Sequence, residues 1–315
     1  MLPPESIIAV VGGINMDMIF TVDRVLGAGE SKNARSFARC PGGKGANTAV
    51  AAYRASQIAL KNGISSGIKV FINGAVGDDE FGLQLKQQLE ESGVITSTVQ
   101  VLKGETSGLC CVLAEGDESR NVAYQGANFK WKPPVLGSVT CFGGNKKPDL
   151  LVLHLGIPAD VIEGVLTTAA LLATDTLLNP SPATPLNKST YGNVTHLILN
   201  ESEARILATE SVEPKTSGGN IDWLELSLHF IRLGAQNVVI TLGAKGAVYA
   251  THEHEIGHVS AEKVTVVDAT GAGDAFVGTY AVEYVRSKGR QWNIRDAVER
   301  ASKAAAKAVQ HVGAQ

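Results

Sequence analysis

The chain has 315 residues, with 28 Lys plus Arg against 31 Asp plus Glu, so the formal net charge is -3 at pH 7. That length is enough to bury a large core, and the charge balance offers no basic excess for a nucleic acid or an anionic membrane surface. We therefore expect a small-molecule partner, with no nucleic acid and no membrane.

The cysteines and the N-terminus favour a reducing compartment. Four cysteines show no metal-ligand spacing, and they do not form a disulfide framework in a chain this long. The first residues, "MLPPESIIAVVGG", are unlike a secretory signal, and no apolar run reaches membrane-spanning length. We expect a cytoplasmic protein, with the nucleus as the alternative location.

Short apolar runs rich in β-branched residues recur along the chain between helix-like segments. Because these runs are continuous rather than alternating, they predict strands covered on both faces, hence a parallel sheet with helices on either side. The runs are "IIAVVGG", "KVFINGAVG", "DLLVLHLG", "THLILNESE" and "NVVITLGAKGAVYA". Helices are predicted to begin at Gly45, Gly82, Ala159, Ser202, Ile221, Gly273 and Ile294.

Two stretches interrupt this rhythm, from about 16 to 40 and from about 106 to 126. Polar and apolar residues alternate loosely in both, and the turns are rich in Gly and Asp, which predicts antiparallel strands of a small added sheet. The segment "ESVEPKTSGGN" predicts a surface loop. We expect one domain over residues 1–315, with the small sheet inserted into it.

Near the N-terminus, Asn15 and Asp17 are predicted to follow the end of the first strand with both side chains on one side. An amide and a carboxylate projecting together can hold adjacent hydroxyls of a sugar, although an Asx-rich turn also explains the pair. The next motif, "PGGKGAN", sets Lys44 among glycines that allow a ligand to approach, and Gly43 and Asn47 belong to the same turn and helix start.

Further motifs follow β-like runs, where ligands bind at the carboxyl ends of parallel strands. Asn200 and Glu203 in "LNESEA" can hold a Mg²⁺-bound water or a phosphate, or they form a helix cap with a capping-box glutamate. The turn "TLGAKGA" either brings backbone N–H groups to a nucleotide's phosphates or is a β-hairpin turn.

The stretch "VVDATGAGDAFVG" combines a Gly-rich turn with one carboxylate. A strand "KVTVV" is predicted to lead into Asp268, and the start of the following helix offers free N–H groups and the positive end of its dipole, which form an anion site. If the anion is a phosphoryl group in transfer, Asp274 can take the proton of the attacking hydroxyl. Taken alone, the motif is equally explained by an aspartate placed for the helix dipole.

Two other clusters are predicted to be structural. The three histidines of "THEHEIGH" are typical of an exposed hairpin rather than of a metal site. Adjacent Cys110 and Cys111 point to opposite faces of one strand, so we expect them to pack rather than to form a redox pair.

Taken in order, these motifs resemble the ribokinase-like family of ATP-dependent sugar kinases. The motifs that carry the resemblance are Asn15-x-Asp17, "GGKGAN", "GAVGDDEFG", "NPSPA", "NESEA", "TLGAKG" and "DATGAGDAFVG". The resemblance implies an α/β fold, a three-layer α/β/α sandwich with a mostly parallel central sheet and a small β-sheet lid over the sugar. It also implies a homodimer through the lid as one form of assembly.

The resemblance further implies a reaction: phosphorylation of the 5-hydroxyl of D-ribose by ATP, giving ribose 5-phosphate and ADP. The sugar ligands would be Asn15, Asp17, Gly43, Lys44, Asn47 and Asp274. The catalytic groups would be Asp274 as general base, with the backbone N–H groups of Gly271, Ala272 and Gly273 as an anion hole. The residues along ATP would be Asn200, Thr241, Gly243, Gly246, Gly273 and Ser302. The cation ligands would be Asp268, Thr270 and Gly313 for K⁺, with Glu203 near the water shell of the Mg²⁺ that arrives on the nucleotide.

The chain departs from the family pattern in three places. It has "HLG", ending in Gly156, where the family usually has Gln-Leu-Glu, so another pentose, a ketohexose or a nucleoside is the alternative acceptor. It ends at "HVGAQ", before the Pro-Ser stretch that completes the cation site, and Ser302 stands where Asn or His is common near the adenine. A catalytically silent sugar or nucleotide sensor is the alternative outside the enzyme class.

Overall fold

The computed structural model describes residues 5–61, 67–115, 118–209, 216–217, 220–288, 292–311 and 313. The strands in these residues are β1 Ser6–Val11, β2 Asn15–Thr21, β3 Ser36–Gly42, β4 Ile68–Asn73, β5 Ala75–Gly77, β6 Gln100–Leu102, β7 Gly108–Glu115, β8 Glu118–Tyr124, β9 Leu150–His154, β10 Thr176–Asn179, β11 His196–Asn200, β12 Thr216–Ser217, β13 Asn220–Ile221, β14 Asn237–Thr241, β15 Ala247–Thr251 and β16 Ile256–Val259. The helices are α1 Lys44–Lys61, α2 Glu80–Glu91, α3 Ala159–Leu171, α4 Glu201–Thr209, α5 Trp223–Arg232, α6 Ala272–Ser287 and α7 Ile294–Ala308.

The central sheet has eight strands in the order β16-β15-β14-β11-β10-β9-β1-β4. Its neighbours from β14 to β4 all pair in parallel, whereas β15 and β16 pair antiparallel at one edge. The mostly parallel sheet predicted from the continuous apolar runs is therefore confirmed.

Helices cover both faces of this sheet and create two cores. Along β1, Ile8 and Val10 join one core with α1, α2, α6 and α7, whereas Ile7, Ala9 and Val11 join the other core with α3, α4 and α5. Successive residues of a strand point to opposite faces, so a strand buried on both faces must be apolar at every position. The three layers predicted from the sequence follow from this arrangement.

Helix starts lie within two residues of their predicted positions, and α3 and α7 begin at the predicted residues. The predicted strand "KVTVV" is wrong, because residues 263–267 form no strand. Val266 and Val267 are 61% and 57% exposed, so most of each side chain lies in solvent and not under a covering layer. The predicted surface loop at 210–220 lies largely outside the described residues.

A second, four-stranded sheet has the order β3-β2-β7-β8 and is formed by the two stretches that interrupt the apolar rhythm. Its outer pairs are antiparallel, as predicted, but the central pair β2 and β7 is parallel, which corrects the expectation of a wholly antiparallel sheet. Main-body elements from α1 to α2 lie between β2 and β7 in the chain, so this pair is not a hairpin and antiparallel pairing is not imposed on it. Within the described chain, no helix is both long and apolar enough to cross a bilayer.

Candidate active site

Asp274 lies on the first turn of α6, behind a left-handed turn at Gly271 with φ of 79°. Its carboxylate is 6% exposed and accepts hydrogen bonds from Asn47 Nδ2 at 3.2 Å and from Thr48 Oγ1 at 3.3 Å. The N–H groups of Ala272 and Gly273 belong to the first helical turn, where backbone donors lack acceptors within the helix. A buried carboxylate and an electropositive helix end therefore share one place.

Burial raises the pKa of Asp274, while the positive charge of Lys44 and the hydrogen bonds from Asn47 and Thr48 oppose the increase. All three opposing residues come from the start of α1, which packs against α6. A carboxylate with a raised pKa is a stronger proton acceptor once it is ionised. Thr48 is a partner that the sequence motifs did not identify.

Asp17 is a second carboxylate in the same region. Its Oδ1 is buried and has no hydrogen-bond partner among the described residues, and its side chain covers Gly42 so closely that a Cβ there would collide with it. Burial and the charge of Asp274 raise the pKa of Asp17 from 3.8 to about 6. An unpartnered buried acceptor beside a second carboxylate is suited to a ligand that brings hydroxyl donors.

The prediction that Asn15 and Asp17 lie where the first strand ends is wrong. β1 ends at Val11, and both residues belong to β2 of the smaller sheet. They lie on the same face of β2, two positions apart. Gly43 has φ of 90°, and a Cβ there would lie 2.8 Å from the Asn15 nitrogen. Only glycine therefore lets the turn before α1 approach β2.

The motif "LNESEA" forms a reciprocal helix cap at the start of α4. Asn200 Oδ1 accepts from the Glu203 N–H at 2.8 Å, and Glu203 Oε2 accepts from the Asn200 N–H at 3.0 Å. The capping-box alternative is therefore present in the structure. Glu203 is also buried, and its charge contributes to the raised pKa of Asp274, so α4 and α6 begin close together.

The motif "TLGAKG" connects β14 to the antiparallel strand β15 through a 3₁₀ turn, Gly243–Lys245. Thr241 Oγ1 donates to the Leu199 carbonyl at 3.3 Å, and Gly246 has φ of 94°. A Cβ at Gly246 would collide with the Val259 carbonyl of β16. The turn is thus a hairpin connection at the carboxyl end of the parallel strands, beside Asn200.

Ser302 lines a cleft of about 370 Å³ between β16 and α7. Charged and polar side chains from both elements line the same cleft, including His258, Arg295, Glu299 and Lys303.

The histidines of "THEHEIGH" lie on the hairpin that β15 and β16 form. The described residues contain no group of three or more ligands that would hold a metal. The predicted hairpin is confirmed.

Asp268, Thr270 and Gly313 come together although 45 residues separate the first from the last. Asp268 Oδ1 accepts from the Thr270 N–H at 2.8 Å, and Oδ2 accepts from the Gly313 N–H at 2.9 Å. Burial opposes ionisation of this carboxyl, but these hydrogen bonds outweigh it and lower the pKa of Asp268. Asp268 is therefore a fixed anion next to the turn that precedes Asp274.

The "HLG" departure lies at the end of β9. His154 is fully buried, and burial together with the charge of Lys44 lowers its pKa to about 3, so its imidazole is neutral. A Cβ at Gly156 would lie 3.1 Å from the nitrogen and 3.3 Å from the Cα of Gly13, which is tighter than ordinary packing.

The cysteines Cys110 and Cys111 lie on β7 and are free.

Comparisons with known proteins show the family and the fold of this chain. A family model described as pfkB family carbohydrate kinase matches residues 6–315. Ribokinases of Schizosaccharomyces pombe and Bacillus subtilis are 32% and 33% identical, over 98% of this chain and 93% and 94% of theirs. A deoxyribokinase of Salmonella typhi is 30% identical over 89% of this chain and 86% of its own.

Solved structures of ribokinases have the same fold. A ribokinase from Thermotoga maritima has a TM-score of 0.81 at 26% identity, covering 99% of this chain and 95% of its own. A ribokinase from Cryptococcus neoformans in complex with ADP has a TM-score of 0.77 at 26% identity, covering 98% and 95%.

The fold and these relatives define an ATP-dependent sugar kinase, a phosphotransferase built on a three-layer α/β/α sandwich. The chain belongs to the pfkB family of carbohydrate kinases, and within it the chain is ribokinase-like.

Proposed function

We propose that the protein transfers the γ-phosphate of ATP to the 5-hydroxyl of D-ribose, giving ribose 5-phosphate and ADP. The observation that carries the proposal is the buried Asp274 carboxylate at the start of α6, held by Asn47 and Thr48. Its neighbour Asp17 has a buried oxygen that finds no partner among the described residues and is suited to a sugar hydroxyl. The ribokinases at about one-third identity support ribose as the acceptor.

In the proposed reaction, Asp274 takes the proton of the 5-hydroxyl as the hydroxyl oxygen attacks the γ-phosphorus in line with the departing ADP oxygen. The N–H groups of Gly271, Ala272 and Gly273 stabilise the negative charge on the phosphoryl oxygens. Donors fixed before the reaction need no reorganisation, and each is typically worth about 3 to 4 kcal/mol at the transition state. Asn15, Asp17, Gly43, Lys44 and Asn47 hold the sugar in place.

On the nucleotide side, the proposal places Asn200, Thr241, Gly243, Gly246 and Ser302 along ATP. Three features support this placement. The Asn200 cap follows β11 and the Gly243–Lys245 turn follows β14, both at the carboxyl ends of parallel strands, where ligands bind in such sheets. The cleft that Ser302 lines lies between β16 and α7.

Two cations belong to the proposal. Glu203 Oε2 caps Asn200, which leaves Oε1 as an acceptor for a water of Mg²⁺, and Mg²⁺ when bound neutralises phosphate charge. The Asp268 carboxylate and the Thr270 carbonyl are oxygen donors of the type that holds K⁺, with Gly313 closing the same group. A cation held by these residues would lie beside the turn that carries the proposed anion hole.

The test is a coupled ADP-release assay with D-ribose and Mg-ATP. We expect Asp274→Asn to lower kcat by several orders of magnitude while the Kd for ATP changes less than about twofold. Asp296→Asn is the matched control, since Asp296 is on the first turn of α7 and also adds charge to a helix start. Equal kcat values for wild type and Asp274→Asn would overturn the proposed role.

A different acceptor is the second candidate, and Gly156 favours it because this position carries no side chain to contact a sugar. The deoxyribokinase relative points to 2-deoxyribose as one such acceptor. Turnover of ribose, 2-deoxyribose, a ketohexose and a nucleoside, each with and without K⁺, separates the candidates. A silent sensor would bind a sugar and release no ADP with any of them.

We also propose that the smaller sheet acts as a lid over the sugar and joins two subunits in a cytoplasmic homodimer. Phe37, Val122 and Tyr124 are 53%, 74% and 59% exposed, and the strand registers put them on the face of this sheet opposite Asp17. Four free cysteines support the location. Sedimentation of wild type and Val122→Glu tests the assembly, because a dimer through this face would dissociate in the variant.

A further inference from the structure

Asn128 is a buried asparagine that none of the proposed catalytic steps uses. It has 0% exposure and lies in a 3₁₀ turn, Gly126–Lys130, that follows β8. Its carboxamide contacts the connection between β1 and β2. Oδ1 accepts from the Ile14 N–H at 2.9 Å, and Nδ2 donates to the Ile14 carbonyl at 3.3 Å and to Asn15 Oδ1 at 2.8 Å.

The backbone of Ile14 determines which way the Asn128 carboxamide faces. A backbone N–H can only donate and a carbonyl can only accept. Asn128 Oδ1 must therefore face the Ile14 nitrogen, and Asn128 Nδ2 must face the Ile14 carbonyl and Asn15. Asn15 then meets a donor and must present its own oxygen to Asn128. The orientation of the Asn15 carboxamide therefore follows from two backbone groups of its neighbour.

The remaining polar group of Asn15 is its Nδ2, for which the described part of the chain offers no hydrogen-bond partner. Asn15 thus has two N–H donors available on Nδ2, while Asn128 occupies one of the two lone pairs of its Oδ1. Asp17, on the same face of β2, offers only acceptors when ionised. Adjacent sugar hydroxyls both donate and accept, so one can serve Asn15 as acceptor while its neighbour serves Asp17 as donor.

Gly108 of β7 leaves the space in which this bond forms. A Cβ at Gly108 would collide with both Asn128 Nδ2 and Asn15 Oδ1, and Gly108 lies directly opposite Asn15 in the β2–β7 pair. Its φ is not positive, so alanine needs no strained backbone here, and its Cβ would meet the two side chains more closely than the Ile14 carbonyl, which would lie at 3.0 Å. The glycine therefore provides a second way to break the same contact.

We propose that Asn128 is a positioning residue that fixes Asn15 with its N–H₂ group toward the sugar, and that this polarity selects an acceptor bearing a hydroxyl over its deoxy analogue. A deoxy sugar leaves the N–H₂ group without an acceptor, and an unpaired donor in a site built to use it costs affinity. The inference rests on the proposed function, because it concerns the sugar of that same site.

A double-mutant cycle tests the proposal with Asn15→Ala, Asn128→Ala and the double variant. Calorimetry measures the Kd for D-ribose, 2-deoxyribose and 3-deoxyribose, and the coupled assay measures KM and kcat. We expect each single variant to raise KM for ribose about 10-fold with kcat changed less than about threefold, and to lose preference over the deoxy sugar that wild type rejects most. The double variant should match Asn15→Ala.

Two further variants separate positioning from folding. Gly108→Ala should reproduce the KM increase and should add nothing in the Asn15→Ala background. Asn73→Ala is the matched control, since Asn73 is also fully buried and donates to the Val10 and Phe142 carbonyls without contacting Asn15. It should lower Tm while KM stays within about twofold of wild type.

Additive losses in the Asn15→Ala Asn128→Ala variant would overturn the proposal, as would unchanged selectivity among the three sugars in Asn128→Ala and Gly108→Ala. Turnover of ribose by the wild-type protein reports on the proposed function by itself. The coupling between positions 15 and 128 reports on the inference, so the two fail separately.

Discussion

Replacing Asp17 with asparagine is expected to stabilise the protein without its sugar while weakening sugar binding. Burial and the charge of Asp274 raise the pKa of Asp17 from 3.8 to about 6, so the folded protein binds this proton more tightly than the unfolded chain. The stabilisation from the bound proton is complete below pH 4 and is lost as the pH rises through 6. Ionised Asp17 then costs about 1.5 kcal/mol of folding free energy at pH 5 and about 3 kcal/mol at pH 7.

Asparagine has nearly the same shape and does not ionise, so Asp17→Asn should be more stable than wild type by up to about 3 kcal/mol at pH 8 and by about half as much at pH 5. Thermal unfolding at several pH values from 5 to 8 measures the difference, which corresponds to several degrees in Tm for a chain of this size. D-Ribose should raise Tm of the wild type by mass action and should raise Tm of the variant much less.

Asp160→Asn is the matched control, because it makes the same replacement at an exposed position on the first turn of α3. A Tm difference between wild type and Asp17→Asn that stays constant from pH 5 to 8 would refute the reasoning, because the cost of an ionised buried carboxylate must grow with pH. A destabilised Asp17→Asn at pH 8 would refute it equally.

Three further predictions concern the neighbours of the two carboxylates. Thr48→Val removes a hydrogen bond that lowers the pKa of Asp274, so the acidic limb of the pH–kcat profile should move to higher pH, and an unmoved limb would contradict the proposed base. Asp268→Ala releases the Thr270 and Gly313 N–H groups, and titration of kcat with K⁺ against Na⁺ should show loss of any activation; activation equal to wild type would remove Asp268 from the cation site. Gly156→Ala and Gly156→Glu place a Cβ against Gly13 and should each lower the free energy of unfolding by about 1 to 3 kcal/mol in denaturant titrations, while only the glutamate lowers KM for ribose. Equal KM values for the two variants would show that a carboxylate at this position does not reach the sugar.

The amino-acid sequence by itself determined the class of fold, because a strand that is buried on both faces needs apolar residues at every position and therefore shows an unbroken apolar run. Ile7 to Val11 show this directly, since alternate residues fill the two cores on either side of the sheet. Helix starts were equally readable from local chemistry, as at Asn200 and Glu203, whose side chains and backbone groups cap each other within four residues. Where the local signal lacked a partner, prediction failed: "KVTVV" has strand composition, yet within the described residues it pairs with no strand.

The contacts that make a site of these motifs were decided by the tertiary structure. Asp274 meets Asn47 across 227 positions of sequence, and Asn15 meets Asn128 across 113, so no spacing or periodicity records either contact. The raised pKa of Asp17 likewise depends on a carboxylate from a distant helix and on burial by other elements. Local patterns fix the backbone hydrogen bonds within a helix and the apolar character of a strand, whereas the direction of an amide and the proton affinity of a carboxylate depend on the groups that the folded chain brings within a few ångströms of them.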